Sequence, residues 1–552
     1  MTQLTSPLKT STFMLFLGAV MFSIFAYLIA RTTLFLLADY QWYDKIAALF
    51  LLLAETFIMI HALGYFLNLH HATKAGRAAA KAPAPAGNIT TEPQELRDYP
   101  GVAVIVSSFN EPIPVVEETL ICFYNLTYPN KQIFFLDDTR YDLPGQDRER
   151  MADYRRQVEE MCARIGVNLF RRRWRGAKAG MINDFLAFLN GTPPEGFEFV
   201  PGRLAARLDD LEYIAVFDAD MNPLPDFAEP LVARMEAAPR LAFIQTPQYY
   251  SNFETNRVAR ASGMQQAVFY EYICEGKSSQ DAMFCCGTNV LFRRRALDEV
   301  GGFDESSVTE DFATSLKFHT ANWHSAYLNK VSAFGMGPED LAGYFKQQFR
   351  WALGTVGLFR TIVGAWLRDR HTLSIAKWWE YTLSGTHYFV GWVFLIMVLS
   401  PVLFLLFNLP SFFARPDIYL LFFFPYIVLT SSMFLFTISQ RRYRFRELLT
   451  GILLQALSFP VYIKASLLGI LGYRGSFKTT PKTGSTALPL GALWPQLTLA
   501  MACLIAVTWG VLRLIFERDP LWALTVNTIW CFYHLLILLT ILYFNNADET
   551  LS

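Results

Sequence analysis

The chain has 552 residues, of which 53% are hydrophobic and 15% aromatic, which is more than an ordinary soluble domain carries. Its 48 basic and 48 acidic residues give a formal net charge of zero, so we expect no nucleic-acid partner. The seven cysteines include neither a C-x-x-C pair nor a zinc-finger spacing. We interpret the polar middle of the chain, which holds five of them, as reduced and cytosolic.

The hydrophobic residues are concentrated in six stretches, each near the ~20 residues that a helix needs to cross hydrocarbon. Two precede the polar middle and four follow it. They cover residues 13–37, 46–67, 388–409, 418–438, 488–516 and 521–544. The first is too long for a signal-peptide core and is followed at once by another, so we expect it to remain as an anchor.

A short basic segment indicates the orientation of these spans. Arg441, Arg442, Arg444 and Arg446 follow the fourth stretch, and basic residues near membrane ends tend to stay on the cytosolic side. The loops on the opposite side carry less net positive charge. We therefore expect both termini and the middle region to face the cytosol.

Changes in composition divide the chain into five parts. They are a transmembrane hairpin (1–73), an Ala/Pro/Gly-rich linker (74–98), a polar domain (99–340), amphipathic interface helices (341–387) and a C-terminal transmembrane region (388–552) with another interface helix at 448–472. In the polar domain the apolar runs VAVIVSSF, QIFFLDD and YIAVFDAD alternate with helix-like segments, which predicts a parallel α/β sheet. Ligands bind at the carboxyl ends of such strands, so we expect several carboxylates around one crevice.

Four acidic residues follow the apolar runs. Asp218 and Asp220 sit at alternate positions, so both can face one Mg²⁺ or Mn²⁺ that also binds a nucleotide diphosphate, although an isolated pair is common on solvated loops. Asp137 and Asp138 end the preceding run, where they either accept hydrogen bonds from a base or ribose or form a turn. Lys178, among small residues, is either a diphosphate contact or a surface charge.

Two later segments carry further candidates. Asp311, after Glu310, is a candidate base that removes the proton of an acceptor hydroxyl, but the same acidic pair also fits a helix cap. In QQFRW, Arg350 can stabilise a departing diphosphate and Trp351 can stack on a sugar face. An interfacial Trp/Arg membrane anchor explains these two residues equally well.

Taken as an ordered set, these segments resemble the bacterial cellulose synthase catalytic subunit and its curdlan and mixed-linkage glucan relatives, which are processive family 2 glycosyltransferases. The family motifs occur in order as Asp137/Asp138, Asp218-Ala-Asp220, Thr309-Glu310-Asp311 and Gln347/Arg350/Trp351. The resemblance implies a GT-A-type α/β domain inserted in an α-helical transmembrane bundle, with two spans before it and four after. It also adds Thr309 to the catalytic motif and Gln347 to the donor contacts.

Secondary motifs extend the resemblance. QTP, FCCGT and SFKTTPK occur at residues 245–247, 284–288 and 476–482. The last resembles a gating loop, near residues 473–487, in which Phe477, Thr480 and Lys482 would insert over the bound nucleotide. FCCGT would place Cys286, with Phe284 and Gly287, beside the acceptor terminus.

Three departures limit the resemblance. Met221 stands where the family often has a His after D-x-D, and Thr479 replaces the usual Val of the gating loop. The sequence ends eight residues after its last apolar run, so we expect no cyclic-di-GMP-binding domain in this chain.

By this resemblance we predict an inverting enzyme of the inner membrane that extends a β-glucan from UDP-glucose and Mg²⁺ (or Mn²⁺) and exports the polysaccharide, with possible accessory export subunits. Hyaluronan and chitin synthases are the nearest alternative, but their T-E-D equivalent usually continues with Arg, whereas Phe312 follows here. A non-processive enzyme acting on a lipid carrier would ordinarily lack Q-x-x-R-W. A multi-pass transporter would place ionisable residues in its spans, and Glu55 and His61 are the clearest examples.

Overall fold

The computed structural model describes residues 10–39, 41–81, 96–141, 147–203, 208–410, 416–439, 444–473, 486–517 and 520–546. Two helices precede the polar domain: α1 (Thr10–Leu37) and α2 (Trp42–Lys81). The α-helices within that domain are α3 (Ile113–Tyr124), α4 (Arg148–Ile165), α5 (Lys178–Leu189), α6 (Glu229–Glu236), α7 (Arg257–Val268), α8 (Glu275–Ser279), α9 (Arg294–Glu299) and α10 (Glu310–Thr320). A π-helical segment, Phe269–Cys274, joins α7 to α8.

The helices that follow the domain are α11 (Leu341–Arg368), α12 (Ile375–Thr386), α13 (Val390–Phe407), α14 (Pro416–Ser439), α15 (Phe445–Leu457), α16 (Phe459–Ile470), α17 (Trp494–Phe516) and α18 (Leu521–Phe544). The strands are β1 (Gly101–Ser108), β2 (Lys131–Asp137), β3 (Asn168–Arg171), β4 (Glu198–Val200), β5 (Leu211–Phe217), β6 (Asn222–Pro223), β7 (Leu241–Gln245), β8 (Tyr249–Tyr250), β9 (Val290–Arg293), β10 (His324–Tyr327) and β11 (Ala333–Gly335).

In the described part of the domain, eight strands form one sheet in the order β10-β7-β9-β5-β1-β2-β3-β4. The three predicted runs pair in parallel, and two further strands run the other way, since β9 is antiparallel to β5 and β7, and β4 is antiparallel to β3. The reversal of β9 has a simple cause. The loop before it lies at the carboxyl edge of β5, so the chain can only run back from that edge.

The sheet is covered on both faces, and the alternation along β1 shows how. Val102, Val104 and Val106 pack into one core with α3, α4 and α6, whereas Ala103 and Ile105 pack into the other with α5. Successive side chains of a strand point to opposite faces, so a strand buried on both sides is apolar throughout. The three apolar runs seen in the sequence are β1, β2 and β5 of this sheet.

Among the described residues, six helical stretches are long and apolar enough to cross a membrane. They are Thr12–Leu37, Trp42–Ala72, Ile375–Phe407, Asp417–Thr437, Leu490–Phe516 and Leu521–Phe544. The bent pair α15 and α16, with 50° between them, is a further candidate. The chain is thus a multi-pass membrane protein with two spans before the α/β domain and four after it.

Two helices are longer than the sequence pattern indicated. The third span begins at Ile375, because α12 leads into α13 through a short 3₁₀ turn, His387–Phe389. Helix α2 continues to Lys81, so the first residues of the predicted linker are helical. The alanine-rich sequence KAGRAAAK favours that extension, since Ala is the best helix former.

The domain and the membrane helices meet closely at Gly276 of α8, where a Cβ atom would lie 2.5 Å from Cβ of Asn68 on α2. We predict that Gly276→Ala lowers the thermal stability of the detergent-solubilised protein, because overpacking such a contact costs ~1–3 kcal/mol. The matched control is Gly364→Ala on α11, where a Cβ atom meets no other atom within 4 Å. An unchanged unfolding temperature for Gly276→Ala would contradict this packing.

Candidate active site

The carboxyl edge of the central sheet brings the predicted acidic residues together. In the parallel pairs of the sheet, Ser108 of β1 is opposite Asp137 of β2, and Val106 is opposite Phe217 of β5. Asp138 and Asp218 therefore leave β2 and β5, the two strands that flank β1, at the same edge. This is the position at which open α/β sheets bind their ligands.

Lys178 at the start of α5 lies within this edge. Its Nζ atom forms an ion pair with the Asp218 carboxylate and donates to the carbonyl oxygen of Gly287 at 2.7 Å. Burial lowers the pKa of Lys178, but the charges of Asp218 and Glu310 outweigh burial and raise it overall. The ammonium group therefore stays charged, and it is paired inside the cleft and largely shielded from solvent.

Asp218 and Asp220 differ in their surroundings. The Asp218 side chain is 47% exposed, and its backbone N–H donates to Thr288 Oγ1 at 2.9 Å. Asp220 is half-buried beside Tyr250, whose hydroxyl accepts from Gln266 Nε2 at 3.2 Å. Burial raises the pKa of Tyr250 to about 12, and Gln266 and Gln347 oppose that shift. Gln347 of α11 thus lies close to Tyr250, beside the D-x-D segment.

Glu310 and Asp311 form the first turn of α10 and face the same cleft. Burial, with the neighbouring charge of Glu310, raises the pKa of Asp311 to about 7, while the charges of Lys178 and Arg350 oppose that shift. Burial also raises the pKa of Glu310, again opposed by Lys178 and Arg350. A carboxyl group with a pKa near neutrality suits proton transfer better than an ordinary acid does.

The alternative interpretation of this acidic pair as a helix cap accounts for only part of the geometry. Thr309, at the N-cap position, makes no side-chain cap hydrogen bond. Asp311 Oδ1 accepts a hydrogen bond from the backbone N–H of Phe312 at 2.8 Å, which leaves Oδ2 directed at Gly287. A Cβ atom added to Gly287 would lie 2.9 Å from that oxygen. One carboxylate oxygen caps the helix, and the other faces the cleft.

The FCCGT loop closes this side of the cleft. Gly287 has a φ of +83°, a left-handed conformation that lets the loop pass close to Asp311. Phe284 packs against Phe312 with ring centroids 4.8 Å apart. Cys286 precedes Gly287, and its charge interaction with Asp311 shows that it lies nearby. All three predicted acceptor residues of this loop are therefore beside α10.

Arg350 and Trp351 lie on α11, which packs directly on the T-E-D segment. A Cβ atom added to Gly354 would lie 2.5 Å from Thr309 Cγ2, so the two backbones approach closely one turn after Arg350. This packing brings Arg350 close enough for its charge to oppose the rise in the pKa of both Glu310 and Asp311. Trp351 follows it on the helix and is half-buried.

Asp137 and Asp138 occupy different environments. The Asp137 side chain is fully buried and accepts hydrogen bonds from Arg171 Nε at 2.8 Å and from the Tyr141 hydroxyl at 2.7 Å. Asp138 lies 3.1 Å from the Arg172 guanidinium, and burial raises its pKa to about 7 despite that cation. The Asp137 carboxylate is therefore engaged by Arg171 and Tyr141 inside the domain. Asp138 follows the end of β2 and lies nearer the carboxyl edge of the sheet.

Three predicted donor residues, Phe477, Thr480 and Lys482, lie outside the described residues. Of the described residues on either side of that stretch, one lies against α11 and the other binds the residue that caps its N-terminus. Gly472 lies against the Arg360 guanidinium, and the backbone N–H of Thr486 donates to Asp340 at 3.2 Å. The described residues contain no cluster of three or more His, Cys, Asp or Glu side chains suited to a metal ion.

Sequence reasoning missed several residues that shape the cleft. Gln245 uses both ends of its amide to hold the FCCGT loop, accepting from Cys286 N at 2.8 Å and donating to Thr288 O at 2.7 Å. The QTP resemblance pointed to this residue without giving it a role. Arg140 stacks on Trp174 at 3.7 Å, and nothing in the sequence indicated that these distant residues meet.

The chain is similar in sequence to known glycosyltransferases. Residues 103–301 match the family model "Glycosyl transferase family 2", and residues 213–439 match "Glycosyl transferase family group 2". The UDP-forming cellulose synthase catalytic subunit of Pseudomonas fluorescens (strain SBW25) is 29% identical over 81% of this chain and 56% of its own length. Cellulose synthase 2 of Novacetimonas hansenii is 26% identical over 81% of this chain and 26% of its own length.

Among solved structures, the Pyrobaculum calidifontis mannosyltransferase PcManGT, in complex with GDP-Man and Mn²⁺, matches 75% of this chain and 99% of its own. Its TM-score is 0.46 and its sequence identity 17%. The matched part of the chain spans about half the length of the first cellulose synthase and about a quarter of the second. The family match, the α/β sheet and the six apolar helices confirm the predicted fold class. Between its membrane spans the chain has a region that matches family 2 glycosyltransferase models, and it resembles the catalytic subunits of bacterial cellulose synthases.

Proposed function

We propose that this chain is a processive, inverting glycosyltransferase that polymerises a β-glucan from UDP-glucose on the cytosolic side and translocates it through its own spans. The observation that carries the proposal is the convergence of the Lys178–Asp218 pair, the Glu310–Asp311 pair and Arg350 at one sheet edge. The UDP-forming cellulose synthases among its relatives support the choice of donor and of a glucan product.

The reaction is a single displacement. Asp311 takes the proton of the acceptor's terminal hydroxyl, the oxygen attacks C1 of the donor sugar, and the bond from C1 to the diphosphate breaks as UDP leaves. One displacement inverts the anomeric configuration and needs no covalent nucleophile. Lys178 and Arg350 stabilise the negative charge that grows on the departing diphosphate.

Asp218 and Asp220 fit a divalent cation. Mg²⁺ and Mn²⁺ prefer oxygen ligands, and Mg²⁺ is commonly held by one or two carboxylates together with substrate phosphates. The half-exposed Asp218 carboxylate, already paired with the Lys178 ammonium, lies where a cation and a diphosphate would meet. When bound, the ion would neutralise charge on the diphosphate.

The donor and acceptor occupy opposite sides of Asp311. Asp138, with Arg140 stacked on Trp174, would receive the nucleoside, and Asp137 would hold Asp138 in place rather than contact the ligand. Gln347 and the loop residues Phe477, Thr480 and Lys482 would complete the donor side. The acceptor would lie against Phe284, Cys286 and Gly287, with Trp351 stacked on a sugar face.

A cavity of about 220 Å³ between α1, α2, α13, α14 and α18 is a candidate part of the export path. Its wall includes Tyr419, Phe423, Trp522 and Trp530, whose rings can stack on successive sugars. Glu55 also lines it, in an ion pair with Arg31. His61 lies outside this wall, with Nε2 3.3 Å from the Leu383 carbonyl oxygen.

The orientation follows from the basic segment after α14, of which Arg444 and Arg446 are described. Its positive charge supports a cytosolic position for the active site and for the donor supply. A glucan made there has to cross the bilayer, and a path through the spans avoids exposing its hydroxyl groups to hydrocarbon.

The proposal is tested with purified protein incubated with UDP-glucose and Mg²⁺, followed by linkage-specific digestion of the product. We expect an insoluble β-glucan that is lost when EDTA is added. We also expect rates at least ~100-fold lower in Asp311→Asn and in Asp218→Asn, because base and charge stabilisation each supply at least that factor. In sealed inverted vesicles the polymer should accumulate inside.

Parallel reactions with other UDP-sugars provide the counter-test. Preferred incorporation of an N-acetylhexosamine or a uronic acid would replace the glucan assignment with a hyaluronan-like or chitin-like one. Transfer of a single sugar to a lipid would disprove processivity. A retained rate in Asp311→Asn would show that Asp311 is not the catalytic base.

The raised pKa values predict the pH dependence. Asp311 acts only when ionised, and its pKa is about 7, so kcat/KM, which reports the free enzyme, should fall as the pH drops below that value. Asp138 titrates in the same range and lies on the donor side, so its protonation should add to the same acid limb. Asp138→Asn should therefore leave the Asp311 limb in kcat/KM. A kcat/KM that is flat between ~pH 5.5 and ~pH 8 would contradict the assigned base.

The close approach of Gly287 to Asp311 gives a steric prediction. Gly287→Ala should lower kcat at least ~10-fold, because even ~1 Å of misplacement at a catalytic group is costly. The control is Gly301→Ala, which has a similar φ of +72° but open space around the added Cβ. Both variants incur left-handed strain of ~1–2 kcal/mol, so equal activities would show that contact with Asp311 is unimportant.

A further inference from the structure

Helix α12 is the first part of the third span, yet one of its faces is buried against the glycosyltransferase domain. Lys377, Glu380 and Tyr381 all contact that domain, and Glu380 and Tyr381 are buried. The sequence pattern had indicated only an amphipathic helix at the membrane surface.

The first contact is an ion pair next to Phe284, one of the proposed acceptor residues. Lys277 Nζ on α8 lies 2.6 Å from Glu380 Oε2, and both side chains are 4% exposed. Asn68 of α2 donates to the same carboxylate at 3.2 Å, so two spans meet the domain at one charge pair. The Lys277 ammonium also lies 5.6 Å from the centre of the Phe284 ring. Removing one member of such a pair would leave a buried, uncompensated charge.

The second contact reaches α10, whose first turn carries Asp311. The ring of Tyr381 stacks on Phe312, the residue after Asp311, with centroids 5.6 Å apart and an interplanar angle of 15°. The hydroxyl of Tyr381 lies 2.7 Å from Nδ1 of His319, at the other end of α10. One side chain of α12 therefore holds α10 at both ends.

The proton positions along this contact follow from its neighbours. Ser325 donates its only hydroxyl proton to the Met283 carbonyl oxygen at 2.7 Å, so it accepts from His319 Nε2 at 2.9 Å. Nδ1 of His319 is then the acceptor for the Tyr381 hydroxyl. Burial lowers the pKa of His319 to about 3, so the imidazole is neutral and this arrangement persists at neutral pH.

We propose that Tyr381 is a positioning residue that fixes Asp311 relative to the acceptor wall, and that the Lys277–Glu380 pair anchors α12 for this purpose. The inference rests on the proposed role of Asp311 as base. It assigns to the third span a part in aligning the reacting groups, in addition to any part in export. Tyr381 acts through Phe312 and touches no substrate.

The test compares two substitutions of Tyr381. Tyr381→Leu removes both the stacking and the hydroxyl and should lower kcat for polymer synthesis at least ~10-fold, since a shift of ~1 Å can cost up to ~100-fold. KM for UDP-glucose and the affinity for UDP should stay within about twofold, because the donor residues are untouched. Tyr381→Phe keeps the stacked ring and should recover most of the rate.

A matched control and a second variant keep the test decisive. Thr382→Ala changes an exposed neighbour on the same helix and should behave as the unchanged protein. Lys277→Met combined with Glu380→Leu removes both charges and should lower kcat with UDP affinity retained. Unchanged kcat in Tyr381→Leu would overturn the proposal. Loss of UDP binding in parallel with kcat would also overturn it, because the effect would then be general unfolding.

Failure of this inference can be told apart from failure of the proposed function. If Asp311→Asn abolishes synthesis while Tyr381→Leu leaves it intact, only the positioning role is wrong. If Asp311→Asn retains the rate, the base assignment itself fails, and the positioning role falls with it.

Discussion

The balance of charge at one edge of the sheet is the constraint on which the rest of the structure depends. Asp218, Glu310 and Asp311 share a partly buried cleft, and like charges so placed would raise one another's pKa values and protonate. Lys178 and Arg350 offset that repulsion from two different helices. The net effect leaves Asp311 with a pKa of about 7, which would suit the proposed base, since such a group accepts a proton and releases it again.

The positions of these charged groups are set by the backbone more than by side-chain packing. Antiparallel β9 returns the FCCGT loop to the edge where β5 ends, and Gln245 fastens that loop from the neighbouring strand. Gly287 and Gly354 then allow two close backbone approaches, one to Asp311 and one to Thr309. Larger residues at either glycine would separate the elements that carry the charges.

The membrane helices are part of the same arrangement. The domain is joined to α2 through Gly276 and Asn68, and to α12 through the Lys277–Glu380 pair and Tyr381. Buried charge pairs add little net stability, but they impose one geometry, because any other leaves a charge without compensation. A domain held in this way keeps a fixed register with its spans, as the proposed direct transfer of product into them would require.

The sequence by itself determined the apolar spans, the strands that end in acidic residues, and the order of the motifs, because hydrophobic periodicity and short-range patterns are local properties. Only the tertiary structure decided which of those residues meet. The direction of β9, the burial of Asp137 and the contact between Tyr381 and α10 depend on residues far apart in the chain. The alternatives for Lys178 and Asp311 were open in the sequence for the same reason, since a charge is functional or incidental according to its neighbours in space.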